Sequence, residues 1–338
     1  MKAQSGLSEK KCRSGEHTTG ILFSNGDRWK VMRKFTISKF KDLGVGNKII
    51  ENKINEECDF LVEKIKSIEG KPFELIMIIS GALANIIMNI LLGQRFDYQD
   101  PIFLHLLDII DKGSRLLASP MVMEKNDNES IFHNYNLKVL SVDLLGAGTE
   151  TASNTLRWGL LLMMKYPDIQ KNVQIEIEKV IGLNHPQGEH RKSMPYTDAV
   201  IHEIQKFGTI APIPIPRATT QEVTFRGYHL PKGTYVMSLL ASVLRDKDHF
   251  EKPDEFYPEH FLDPQGNFVK RETFIPFSIG KRRCAGETLA KMELFLFFTR
   301  LLQNFTFQPP PGAVLDLTPA SGLTSPPLPY DICAVPRI

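Results

Sequence analysis

The first half of the chain spaces its apolar and polar positions with the period of helices. Residues 47–70 are charged and amphipathic, 73–92 are strongly apolar, and 102–117 are apolar again; each pattern predicts a helix. A polar stretch at 125–130, KNDNES, breaks the series. Residues 137–164 form one long apolar run that closes at Tyr166 and Pro167, because the residue before a proline is driven out of helical geometry. Helices are predicted again at 168–181 and 196–208, with a loop at 184–192 between them. Pro212, Pro214 and Pro216 then impose an extended segment.

Beyond this point the pattern shortens. Residues 222–227 and 234–239 read as two strands around a turn at 230–233, and 252–270, rich in Pro, Gly and Asp, as an irregular meander. An apolar helix is predicted at 287–305, and the proline-rich tail from 307 ends in strand-like pieces. The fold class is therefore mainly α with small β-sheets. Strands and helices do not alternate as a doubly wound sheet requires, and no internal repeat is visible.

The most apolar stretch, 75–93, approaches the length of a membrane span. Asn85 and Asn89 lie one turn apart within it, where lipid would leave their amides unpaired, so a buried core helix is the better reading. Residues 1–17 are polar, with no apolar signal region, and are expected to be disordered.

Composition narrows the chemistry. With 42% hydrophobic residues among 338, the chain can bury a sizeable core, and its formal charge of +2 argues against a nucleic-acid binder. Cys12, Cys58, Cys284 and Cys333 are far apart, which disfavours a disulfide scaffold or a structural zinc site. His185, His190 and His249 fall in polar loops and read as solvated.

The sharpest motif is FSIGKRRCAG, with Phe277, Gly280, Arg282, Cys284 and Gly286 just before the helix at 287. Gly280 permits a tight turn, and Gly286 lets backbone approach the Cys284 sulfur. A cysteine at a helix start meets unpaired N–H groups and the positive end of the dipole, which favour a thiolate. Such a sulfur suits iron; the competing reading is a buried structural cysteine. The long helix carries GAGTET. Taken alone this is either a weak dinucleotide fingerprint through Gly146 and Gly148, or a helix thinned by Ala147 and Gly148. In the helix reading Thr151 bonds the carbonyl of Ala147, beside the carboxylate of Glu150.

Together these motifs resemble the haem-thiolate monooxygenases, the cytochromes P-450, and the wording is nearest the vertebrate microsomal family two. The resemblance runs from about residue 18 to 338. It implies that fold in incomplete form, lacking the membrane anchor, the early helices and the central roof helices, with an internal deletion near 121–125. It also implies haem b held by the Cys284 thiolate, with Glu150 and Thr151 delivering protons to dioxygen. Trp29 and Arg33 in GDRWKVMRKF, and Arg217 after the proline run, match propionate contacts; an arginine fork donates twice to a carboxylate. The implied partners are a lipophilic substrate, O2, an NADPH-cytochrome reductase and cytochrome b5, at the cytosolic face of the endoplasmic reticulum membrane. Arg28, Lys30, Lys34, Lys281 and Arg283 would form the docking patch. The chain departs from the family's Glu-x-x-Arg, which is here Glu203 and Lys206, and from its Pro-Glu-Arg-Phe, here with His260 in place of arginine. A lysine has no fork, so a looser support behind Cys284 is expected. The alternative function is a non-catalytic or inactive truncated haem-binding product. A nicotinamide dehydrogenase is a third possibility.

Overall fold

The computed structural model describes residues 20–117 and 134–337. The expected disorder of 1–17, the polar break at 125–130 and the deletion near 121–125 lie outside the described residues.

Helices form the body. In chain order they are α1 (Gly26–Asp42), α2 (Lys48–Lys66), α3 (Ile76–Leu92), α4 (Pro101–Leu117), α5 (Asn134–Lys165), α6 (Pro167–Val180), α7 (Pro195–Gly208), α8 (Leu240–Leu244) and α9 (Glu287–Asn304). Local chemistry explains their ends. Asn47 caps α2 by accepting the Ile49 N–H, and Pro167 and Pro195 open α6 and α7, where a missing N–H costs nothing. Gly93 ends α3 in the left-handed conformation.

The centre of the molecule is the second half of α5. Every residue from Ala152 to Met164 is buried, and this segment packs among α3, α6, α7 and α9. From Trp158 to Met164 the helix is apolar all round, and such a segment must be surrounded. α3 is likewise a core helix. Asn85 exchanges hydrogen bonds with the Phe96 backbone (2.9 Å each way) and donates to Glu57 at 3.2 Å, while Asn89 accepts from Lys53. Protein groups thus bond both amides that argued against a span. Among the described residues no helix is long and apolar enough to cross a membrane.

The strands are β1 (Phe73–Glu74), β2 (Arg217–Ala218), β3 (Val223–Phe225), β4 (Tyr228–Leu230), β5 (Tyr235–Val236), β6 (Phe305–Gln308) and β7 (Asp331–Pro336). They form one three-stranded sheet, β1-β7-β6, and two two-stranded sheets, all antiparallel. The hairpin pairing differs from the sequence expectation. Residues 222–227 do not pair with 234–239; β3 pairs with β4, and β5 pairs back to β2. Arg226 and Gly227 both take positive φ (48° and 83°), the backbone of a tight two-residue hairpin turn, so the chain reverses there before reaching Pro231.

Candidate active site

The Cys284 loop is built by its own backbone. Gly280 has φ 72° and Ser278 φ 61°, which curl residues 277–284 so that the Cys284 N–H donates to the Phe277 carbonyl at 3.0 Å. Phe277 lies half-buried at the start of the curl, and Cys284 remains exposed. α9 begins three residues on, and the N–H groups of Gly286 and Glu287 bond the sulfur. The protein packed around the loop pushes the thiol up; those N–H groups and nearby Arg33 pull the other way. A cation on the sulfur would oppose the effect of burial and favour the thiolate. An iron ion would supply that charge. Gly286 departs from expectation. A Cβ there would meet Sγ at 3.9 Å, an ordinary contact, so its value is the aimed N–H rather than close approach.

Beside the loop, α1 presents Trp29 and Arg33. The Arg282 guanidinium stacks on the Trp29 ring 3.7 Å from its centre, Arg33 lies 5.7 Å from the same centre, and Arg282 donates to the Ser24 carbonyl at 3.0 Å. Arg217 on β2 completes the group. Burial, then repulsion from Arg217 and Arg33, brings the Arg282 guanidinium down to about 10. Among the described residues no carboxylate forms an ion pair with Arg33, Arg217 or Arg282. Three guanidiniums gathered without an anion fit the two propionates of haem, and this is the structural test that the group passes.

α5 lies in the same neighbourhood. Its front half joins α1 and the Cys284 loop in a small apolar cluster of Ile21, Met32 and Leu140, with Trp29, Leu144 and Ala285 packed against it. Ala147 is exposed and one turn before Thr151, whose Oγ1 donates to the Ala147 carbonyl at 2.7 Å as expected. Gly148 points elsewhere. A Cβ on it would stand 2.7 Å from Ile87 Cδ1, so this glycine lets α3 approach α5 and does not clear room for a cofactor. Gly146 and Gly148 sit inside a continuous helix, not at a strand-to-helix turn, which removes the dinucleotide reading.

Behind the loop, the departures from the family motif form a closed network. Glu203 and Lys206 are fully buried. Lys206 Nζ donates to Glu203 Oε1 at 3.1 Å and to the Pro253 carbonyl at 3.0 Å, and lies 5.1 Å from the centre of the Phe250 ring. His260 Nδ1 meets Glu203 Oε2 at 3.0 Å, and the Tyr257 N–H reaches Oε1 at 3.3 Å. Lysine thus holds both a helix partner and a meander partner, and the looseness expected from its missing fork does not appear in its contacts. Burial, only partly countered by Glu203, holds its ammonium below the usual lysine range.

Sequence reasoning missed two supports. Asp143 accepts the N–H groups of Ile21 and Leu22 (2.8 and 3.2 Å), and Asn136 accepts that of Gly20 at 2.7 Å, strapping residues 20–22 onto α5. Thr324 donates to Glu150 Oε1 at 2.7 Å from a loop 174 positions away. Nothing local marks either. Of the basic residues expected in a docking patch, Lys30, Lys34, Lys281 and Arg283 are exposed, but Lys30 pairs with Asp27 and Arg283 with Glu287.

A mainly helical fold, a cysteine loop at a helix start and an arginine cluster beside it define a haem-thiolate protein. The cytochrome P450 family matches residues 5–123 and 115–334 of this chain. It is 42% identical to cytochrome P450 2K4 of Oncorhynchus mykiss over 382 aligned positions, covering 94% of this chain and 76% of that protein. Identity is 40% to cytochrome P450 2J2 of Homo sapiens over 379 positions (94% and 75%), and 39% to cytochrome P450 2B2 of Rattus norvegicus over 376 (93% and 77%). The chain belongs to the cytochrome P450 family, and these relatives are of the family-two type that the motifs resemble. It is a haem monooxygenase by that membership.

Proposed function

We propose that this chain inserts one oxygen atom from O2 into a lipophilic small molecule, a xenobiotic or a fatty acid such as arachidonate, by hydroxylation or epoxidation. The carrying observation is the Cys284 loop gathered with the guanidiniums of Arg33, Arg217 and its own Arg282, which form no ion pair with a carboxylate among the described residues. Bound there through the Cys284 sulfur, haem iron would supply dioxygen activation, with the thiolate favouring O–O cleavage. Arg33, Arg217 and Arg282 would hold the propionates, with Trp29 stacked under Arg282. Ala147 leaves the face of α5 low, and Thr151 one turn on has a hydroxyl, now bonded to the Ala147 carbonyl, that would hold and pass a proton on the haem side of the helix. Glu150 is the neighbouring carboxyl that restores the proton. Electrons would come from NADPH through a flavoprotein reductase, with cytochrome b5 as a second donor, docked on exposed cations such as Lys34 and Lys281. The family resemblance supports a place on the cytosolic face of the endoplasmic reticulum membrane.

A second reading, a haem-binding product without turnover, is favoured by one observation. Leu137 and Val142 on the front half of α5 are 56% and 65% exposed, two large apolar side chains left uncovered among the described residues. The alignment to its relatives is also longer than the chain itself, which supports an internal deletion. Both readings predict that the reduced protein with carbon monoxide shows the far red-shifted thiolate Soret band, and that Cys284→Ala loses it while Cys58 and Cys333 variants keep it. Persistence of the band in Cys284→Ala would refute the site. NADPH-dependent product formation with a reductase then separates the two readings.

A further inference from the structure

We infer that Thr324 is a positioning residue for Glu150, fixing which oxygen of that carboxyl carries the proton. The inference rests on the role given to Glu150 above and adds the group that orients it.

The argument is one of hydrogen-bond polarity. Arg157 can only donate. Its Nη1 lies 2.7 Å from Asn154 Oδ1, so the Asn154 amide must turn its oxygen to Arg157 and its nitrogen the other way. That nitrogen, Nδ2, donates to Thr324 Oγ1 at 3.3 Å. The threonine oxygen is then occupied as an acceptor on that side, and its own proton is directed to Glu150 Oε1 at 2.7 Å. The first link is fixed by a side chain whose protonation does not change, and the last by the Thr324 hydroxyl standing 2.7 Å from the carboxyl oxygen.

The chain is sheltered. Asn154, Arg157 and Thr324 are 5%, 6% and 6% exposed, so bulk water does not compete for these bonds. The loop carrying Thr324 is also clamped to α5. Arg157 Nη2 reaches the Pro327 carbonyl at 3.3 Å, and Trp158 Nε1 reaches that of Ser325 at 2.8 Å. Tyr330 donates to the Arg157 carbonyl at 2.5 Å. Glu150, Asn154, Arg157 and Trp158 follow the spacing of one helix face, so α5 and this loop meet along a line that begins at Glu150.

The chemical consequence is directional. Oε1 serves as an acceptor whether Glu150 is ionised or neutral, so in the neutral acid the proton sits on Oε2. Giving up that proton leaves the carboxylate, and reprotonation at the same atom completes the cycle; no electron moves. Without the Thr324 hydroxyl this bond no longer holds Oε1 as the acceptor, and delivery loses that part of its direction.

The test uses the haem-loaded chain with NADPH, a flavoprotein reductase and an alkoxycoumarin, whose O-dealkylation releases a fluorescent phenol. Thr324→Val, which keeps the shape and removes the hydroxyl, is expected to raise peroxide released per NADPH several-fold, with the carbon monoxide spectrum unaltered. Thr324→Ser should return it to the wild-type value. In a Glu150→Gln background Thr324→Val should add nothing. A second readout needs no turnover: the infrared carboxyl band of Glu150, assigned by its loss in Glu150→Gln, should shift in Thr324→Val and not in Thr324→Ser. An unshifted band with normal coupling in Thr324→Val overturns the inference and leaves Glu150 its role. An equal effect of Thr324→Val with and without Glu150 overturns it too, because Thr324 would then act by another route. Full coupling in Glu150→Gln overturns the reading of Glu150 itself, and this inference with it. Should Thr324→Val not fold, Asn154→Leu breaks the polarity one step earlier. The same band must shift there, and an unchanged band overturns the inference.

Discussion

Lys206→Met probes the support behind the cysteine loop. Methionine fills much of the lysine stem and removes only the ammonium, so the change is electrostatic more than steric. The wild-type ammonium bonds Glu203 Oε1 at 3.1 Å and the Pro253 carbonyl at 3.0 Å in a fully buried position. Removing one member of a buried pair typically costs about 3–5 kcal/mol, since the other charge stays behind. Glu203 keeps His260 and the Tyr257 N–H, so the low end applies, about 3 kcal/mol. For a chain of this size that lowers Tm by roughly 4 °C. The assay is thermal denaturation followed by circular dichroism at saturating haem, because bound ligand itself raises apparent stability. Lys206→Arg is the informative companion. Oε1 already accepts from Lys206 and Tyr257, and Oε2 from His260, so the second arm of a guanidinium fork would share Oε2 with the imidazole rather than find an open oxygen. The larger side chain must also enter a site with no free surface, at a typical cost of about 1–3 kcal/mol. Its Tm should therefore not exceed that of wild type. A Lys206→Met protein that melts with wild type, or a Lys206→Arg protein with higher Tm and haem occupancy, would refute this reasoning.

Gly148→Ala should destabilise by roughly 1–3 kcal/mol in denaturant titrations, because its Cβ would stand 2.7 Å from Ile87 Cδ1; Ile87→Val, which removes that atom, should recover part of the loss. Recovery failing altogether would place the clash elsewhere. Thr151→Ala should keep its haem spectrum and divert NADPH to peroxide, since the lost bond is local to α5; unchanged coupling removes Thr151 from the mechanism. Asp198 is buried, which pushes its carboxyl up, but His202 and Arg191 (2.7 Å) outweigh this and hold it below the usual aspartate range. A depressed carboxyl contributes stability above its unfolded value, about 4, and loses it as pH falls through the folded value. Asp198→Asn should therefore cost roughly 2 kcal/mol at neutral pH, with the gap to wild type closing in acid melts; a gap independent of pH would show that the pairing is not the cause.

The sequence by itself determined the helices, because each is set by local spacing and by a cap or proline that acts within a few residues. The long apolar run became α5, and Pro167 opened the next helix where expected. It also determined the cysteine loop, because Gly280, Cys284 and the helix start lie within ten positions and build one another's geometry. The Thr151 bond to Ala147 was legible for the same reason. Only the tertiary structure decided what depended on distant contacts. The hairpin register followed from Arg226 and Gly227 jointly taking left-handed backbone, which residue type alone did not signal for an arginine. Gly148 was assigned to the wrong neighbour because a helix has several faces, and only packing says that this one meets Ile87. Lys206 looked deficient beside an arginine until His260, 54 positions later, was seen to take the second oxygen of their shared carboxylate, which a contact 57 positions from Glu203 makes invisible along the chain. The same holds for Thr324 on Glu150: hydrogen bonds recognise proximity in space, and sequence records it only when the chain is short between the partners.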